Sequence, residues 1–206
     1  MKLSIFLIAT LLIINCQPII AQKKGYEKGY IINQKSDTVQ GWVQDRDLGM
    51  FEQLYSQIRF VPEGKRRRKK YSPNDILGYG YGYKGTVFES VPLNEEMTFF
   101  VNRYYLNSNS PKVFLRLIQR NEYLTYYEKE FLDEDNDMIE SFPLFYKSGS
   151  DQMVRVSQGL FGLKRKRLKE YFQDCPTLIT AIETKTITTV QPLYNFYSEQ
   201  CQGTVE

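Results

Sequence analysis

Residues 28–43, KGYIINQKSDTVQGWV, decide the class of fold. Two short runs rich in β-branched and aromatic residues, 29–33 and 38–43, flank four polar residues, Gln34-Lys35-Ser36-Asp37. Strand-forming runs joined by so short a polar loop predict an antiparallel hairpin. The pattern repeats outward from there. Residues 57–61 form a third candidate strand, closed by Pro62-Glu63-Gly64, and residues 76–83 a fourth, entered through Ser72-Pro73-Asn74-Asp75. Further candidates are 86–91, 98–106, and a pair at 112–119 and 123–129 around Arg120-Asn121-Glu122. A last pair, 142–147 and 152–156, surrounds Ser148-Gly149-Ser150-Asp151.

After Gly162 the apolar period changes from two to the helical one. Leu168, Tyr171, Phe172 and Cys175 share one helical face, and Pro176 suits a first helical position ahead of Leu178, Ile179 and Ile182. Pro192 is read as opening a third helix, with Leu193, Phe196, Tyr197 and Cys201 on one side. Residues 184–190 read as a loop or short strand. The fold class expected is therefore α+β. A mainly antiparallel sheet, barrel- or sandwich-like, occupies residues 22–160, and a small C-terminal helical region over 161–206 packs on it.

The first residues read as a leader for export. Met1-Lys2 and an apolar run over residues 3–14 lead to Ala21 before Gln22, which predicts a signal peptide over 1–21. A run of about twelve residues falls short of the ~20 that a membrane-crossing helix needs. Lipid attachment at Cys16 is disfavoured because Asn15 precedes it, where a small residue is usual. Cleavage after Ala21 leaves Cys175 and Cys201 as the remaining cysteines, and in an oxidising compartment two cysteines predict one bridge. The exported chain is expected in the periplasm, on the outer envelope or secreted, with no transmembrane segment.

Sixteen tyrosines and thirteen phenylalanines argue for a folded core. Histidine is absent, which excludes Ser-His-Asp and Cys-His catalysis and His-ligated zinc. The net charge is only +3, but the positive charge is concentrated in Lys65-Arg66-Arg67-Arg68-Lys69-Lys70 and in the KRKRLK run of residues 164–169. The first run is a candidate polyanion-binding loop. The second, with Leu168 at helical spacing, reads as the exposed face of a helix.

Residues 80–87, GYGYKGTV, match a GxGxxG pattern. A dinucleotide site needs a helix after the glycines, whereas Thr86-Val87-Phe88 favours a strand, so neither a nucleotide nor another cofactor is expected. Strand alternation places Tyr79, Tyr81 and Tyr83 on one face and the glycines on the other, a row that could stack on sugars or fill a core. Asp133, Asp135 and Asp137 share the spacing of a calcium loop, but Met138 stands where glycine is required and Leu144 where the bidentate glutamate is required. No metal is expected there.

KGYIINQKSDTVQGWV, YSPNDILGYGY, LKEYFQDCPTLITAIE and the terminal YNFYSEQC, behind a signal peptide, together resemble a family of exported, functionally uncharacterised proteins of Bacteroidetes-type bacteria. The resemblance covers most of the chain after the leader. It implies export and a single domain, and supplies no catalytic residues.

Two function classes follow. The preferred one is a non-enzymatic envelope or secreted module that binds a glycan or polyanion through Tyr79, Tyr81, Tyr83 and Lys65 to Lys70. Its rival is a histidine-free hydrolase using paired carboxylates, which a pocket with two converging acids would favour.

Overall fold

The computed structural model describes residues 25–98 and 101–201; the leader, Cys16 and the expected cleavage site lie outside them. Twelve strands follow one another: β1 Glu27–Asn33, β2 Thr38–Leu48, β3 Glu52–Pro62, β4 Lys69–Tyr71, β5 Ile76–Tyr81, β6 Thr86–Pro92, β7 Asn94–Thr98, β8 Val101–Tyr105, β9 Lys112–Arg120, β10 Leu124–Asp133, β11 Met138–Lys147 and β12 Gln152–Arg155. Three helices complete the chain: α1 Arg165–Tyr171, α2 Pro176–Glu183 and α3 Val190–Gln200.

The strands form one antiparallel sheet in the order β4-β3-β2-β1-β5-β6-β9-β10-β11-β12-β8-β7. The sheet is open, with β4 and β7 at its edges, and no ladder closes it into a barrel among the described residues. It nevertheless curls, because β3 comes into contact with β10 and β11. Side chains on the concave side of that curl, Ile31, Val43, Phe60, Tyr79 and Phe88, make one core. The opposite face of β6, β9, β10, β11 and β12 contributes Val91, Leu115, Tyr127, Leu144 and Met153 to a second core, which Leu93 and Tyr104 join from the ends of the β7–β8 excursion. The far half of the sheet is packed on both faces.

A third core forms where the helices pack on Tyr126, Phe145 and Val154. Leu168, Phe172, Leu178, Ile182 and Leu193 are fully buried there, each contributing about 1.5–3 kcal/mol by leaving water. Cys175 and Cys201 are bonded with Cα atoms 5.5 Å apart, as their positions at the ends of apolar helical faces predict. The bridge ties the residue before α2 to the residue after α3. Closing 26 residues corresponds to about 3.5 kcal/mol in the chain-entropy picture. No helix among the described residues is long and apolar enough to cross a membrane.

Several boundaries differ from expectation: the candidate strand at 98–106 divides between β7 and β8, which pair with each other, and other elements end elsewhere. β2 runs on to Leu48 and β3 begins at Glu52, and β10 and β11 likewise extend to Asp133 and from Met138. These arms, QDRDL, EQLYS, EFLD and MIES, lack the apolar–polar alternation that predicts a strand. A bulge between Gln44 and Arg46 also breaks the period of two there, leaving Val43, Gln44 and Asp45 buried in succession. β5 stops at Tyr81, because Gly82 takes a φ of +78° and turns the chain. α3 starts at Val190 rather than at Pro192, since proline also fits within the first turn, whose N–H groups have no helical partner.

The two long hairpins are fastened at their far ends by charge. Arg46 donates to Asp45 at 2.9 Å and to Glu130 at 2.7 Å, and Arg116 pairs with Glu128 and lies 3.8 Å from Glu130. Burial opposes the charge on Arg46. The hydrogen bonds and charges of Asp45 and Glu130 outweigh it, so its pKa rises further above the ordinary arginine range. Removing one member of such a buried network costs about 3–5 kcal/mol, because its partner is left charged and unpaired.

Candidate functional site: a basic cleft beside the first helix

The three tyrosines do not form a row open to a ligand. Tyr79 is 3% exposed, stacks on Phe88 at 4.7 Å, meets Phe114 edge-on at 4.9 Å and donates its hydroxyl to Asp45 at 3.0 Å. Burial, reinforced by the Asp45 charge, pushes its phenol well above the ordinary tyrosine range. Tyr81 is half-buried and stacked beside it at 6.1 Å. Tyr83 stands fully exposed beyond the turn at Gly82, parted from the other two. Gly80 is glycine because the Tyr30 ring lies 2.7 Å from where its Cβ would be. The turn then passes into strand β6, so the glycine pattern has no helix N-terminus to cradle a phosphate.

The acids that converge, Asp45 and Glu130, meet on Arg46 inside the curl rather than around a substrate-sized opening. Their oxygens are occupied by Arg46, Arg116 and the Tyr79 hydroxyl. The aspartates at 133, 135 and 137 sit in the β10–β11 turn, where Asp133 accepts from the Asp135 amide at 3.1 Å. Among the described residues no group of three or more acids or cysteines is placed to hold a metal.

Lys65, Arg66, Arg67, Arg68, Lys69 and Lys70 are all exposed, on the β3–β4 loop and on β4 itself. The second basic run departs from its reading as a solvated helix face. Lys166 is exposed, but Lys164, Arg165, Arg167 and Lys169 are half-buried. The fold explains why. Ser157 bridges to Leu163, the Lys164 amide donates to the Val156 carbonyl at 2.9 Å, and Leu168 is buried to 0% exposure. Helix α1 is thereby pressed against the end of β12, and its first turn cannot swing into solvent.

Between α1 and the strands β8 and β12 lies a cleft of about 750 Å³. One wall carries Lys164, Arg165, Lys166 and Arg167; the other carries Arg103 and Arg155, with Lys147 at the end of β11. Tyr104, Met153, Leu163 and Tyr171 supply apolar surface between them. Seven cations therefore line the cleft against two acids, Asp151 and Glu170. Some are held: Arg165 donates to the Ile182 carbonyl at 2.6 Å, Arg167 pairs with Glu170 at 2.8 Å, and Lys147 pairs with Asp174 at 2.9 Å. Arg155 donates to the Ser157 carbonyl at 3.0 Å while its guanidinium lies 4.2 Å from the centre of the Phe142 ring. Arg155 is thus braced by an aromatic face and a carbonyl.

Lys164 shows the strain of the arrangement. Burial first, and then the charges of Arg155 and Arg167, lower its pKa from the ordinary lysine range. No acid occupies the first turn of α1, where the helix's own partial charge is positive and cations are disfavoured. The folded chain thus gathers like charges at one opening, where cations outnumber acids even with Arg167 and Lys147 paired.

Sequence reasoning found the basic residues of α1 but not their place beside a cleft, because Arg103 and Arg155 come opposite them only through the pairing of β8 with β12. Comparison with family models, curated proteins and solved structures finds no match to this chain.

Proposed function

We propose that this protein is an exported, non-enzymatic binding module of the resembled bacterial family, and that its basic cleft takes an anionic polymer of the cell envelope. The observation that carries this reading is the crowding of Lys164, Arg155 and Arg167, half-buried like charges facing one opening. A dimension of about 750 Å³ suits a few units of a polymer. The cations are suited to carboxylate, sulfate or phosphate, while Tyr104, Met153 and Leu163, each under a tenth exposed, form the floor beneath them. The exposed run from Lys65 to Lys70 is a second basic surface, suited to drawing a polyanion in.

The test is retention of the purified exported chain on heparin, with polyphosphate as a second probe, across a salt gradient. The parent is expected to bind with a steep salt dependence. A variant carrying Lys164→Gln, Lys166→Gln and Arg167→Gln is expected to elute at markedly lower salt; unchanged elution would overturn the cleft as the site. Export is tested separately by mass spectrometry of the mature chain, which is expected to begin at Gln22.

A further inference from the structure

At the end of the β10–β11 hairpin remote from the cleft, the molecule presents the opposite chemistry. Met50 and Phe51 at the β2–β3 turn are 92% and 63% exposed, with Leu48 at 68%, and Met138 on the adjoining β10–β11 turn is 54% exposed. The two turns are held side by side by the Arg46–Glu130 pair and by Glu52, which accepts from the Ile139 amide at 2.7 Å. Around these apolar side chains stand Asp47, Glu134, Asp135, Asp137 and Glu140, all exposed, and no lysine or arginine occurs in residues 47–58 or 131–141. β11 leads from this acidic end to Lys147 at the cleft, ten residues or roughly 30 Å away. The acidic turn cannot reach the cleft of its own molecule.

We infer that the acidic, apolar turns of one copy dock in the basic cleft of the next, so that copies associate head to tail. The charges are complementary, seven cations against a cation-free acidic rim. An exposed apolar residue, Phe161 at 84%, stands on the loop between Gln158 and Leu163, two residues that line the cleft. The two surfaces differ and lie at opposite ends, so the contact is heterologous and leaves a free turn and a free cleft on every pair. Assembly therefore passes beyond a dimer. This rests on the reading of the cleft as an anion site and names an acidic turn of the same chain as one of its occupants.

Sedimentation velocity of the full exported chain over a range of concentrations tests it, at low ionic strength and in about 1 M salt, where the screening length falls to ~3 Å. The expected result is mass rising beyond a dimer at low salt and a monomer at high salt. A turn variant, Glu134→Gln with Asp135→Asn and Asp137→Asn, and the cleft variant Lys164→Gln, Lys166→Gln and Arg167→Gln are each expected to be monomeric alone. Mixed, they are expected to form a dimer and stop, since only one complementary pair of surfaces survives. The turn variant should still bind heparin, which shows that it is folded. A second variant, Met50→Ser with Phe51→Ser, is expected to weaken association at least tenfold without changing heparin retention. A parent that stays monomeric at low salt yet binds heparin, or a turn variant that associates like the parent, overturns the head-to-tail contact and leaves the proposed function standing. A parent that neither associates nor binds heparin overturns both.

Discussion

Two runs of six residues, KRRRKK at 65–70 and KRKRLK at 164–169, are near twins in composition and have opposite fates in the fold. The first projects from the β3–β4 loop and the short edge strand β4, every residue exposed. In the second a single leucine takes the place of a cation, and Leu168 draws the helix into the core, bringing its neighbours against Arg155. Charge in water is cheap and screened within about 8–10 Å; charge brought partly out of water is neither. One buried apolar residue thus turns a solvated run into one wall of a cleft.

The largest expected effect comes from loosening that wall. Replacing Cys175 and Cys201 by serine removes the link between the residue before α2 and the residue after α3, and is expected to lower stability by about 3.5 kcal/mol. Thermal and denaturant unfolding measure the loss. Heparin elution of the fraction that remains folded should shift further than that of a variant with all six residues from Lys65 to Lys70 changed to serine; the reverse order would break the comparison.

Next comes binding itself. Neutralising Lys164, Lys166 and Arg167 should lower heparin affinity by about tenfold to a hundredfold at low salt. It should also reduce the slope of log affinity against log salt by about one per lost contact. The six-serine loop variant should lose less affinity although it loses twice as many charges, because its cations are spread in solvent. Equal losses per charge would show that the cleft adds nothing beyond its net charge.

For stability the loop should be almost silent: its six substitutions are expected to move unfolding by no more than about 0.5 kcal/mol each way. The smallest and most diagnostic effect belongs to Lys164. Its pKa is lower in the folded chain than in the unfolded one, so holding its proton there opposes folding. That penalty is complete below the folded pKa and gone above the unfolded value, so its share of stability improves as pH climbs between them. Lys164→Gln should therefore raise stability, by less than about 1 kcal/mol since solvent screens a half-exposed group, and with it the melting temperature, while weakening heparin binding. Differential scanning calorimetry across alkaline pH measures it, and the variant should lose the alkaline gain.

What could be read from residues alone follows the range of the interactions. The 28–43 hairpin and the first two helices are local, set by a turn, by Pro176 and by periodicity, and they stand where expected except that α1 ends at Tyr171, short of Cys175. The outer arms of β2–β3 and β10–β11 pair within their own hairpins but lack strand alternation, and the tie between them, Arg46 with Glu130, joins residues 84 apart in sequence. The aromatic row was legible as strand alternation up to Tyr81, but the positive φ at Gly82 ended it. Of the cleft, α1 announced its charge but not its exposure, which depends on Leu168 finding a core built by distant strands.

The strand order also carries a consequence for how the chain assembles itself. β6 pairs with β9, so the β7–β8 hairpin lies between two strands in sequence that are neighbours in space, and it docks instead on β12 at the far edge. Its seat does not exist until the meander from β9 to β12 has been laid down, some fifty residues later in the chain. Most other neighbouring strands can zip from a nearby turn; β1 with β5 must span about as much chain as β8 with β12, but its ladder joins five residue pairs where β8 and β12 join two. The hairpin carrying Arg103 and Tyr104 should thus be the last piece to find its place, and a refolding protein should regain its secondary structure before it regains a grip on heparin.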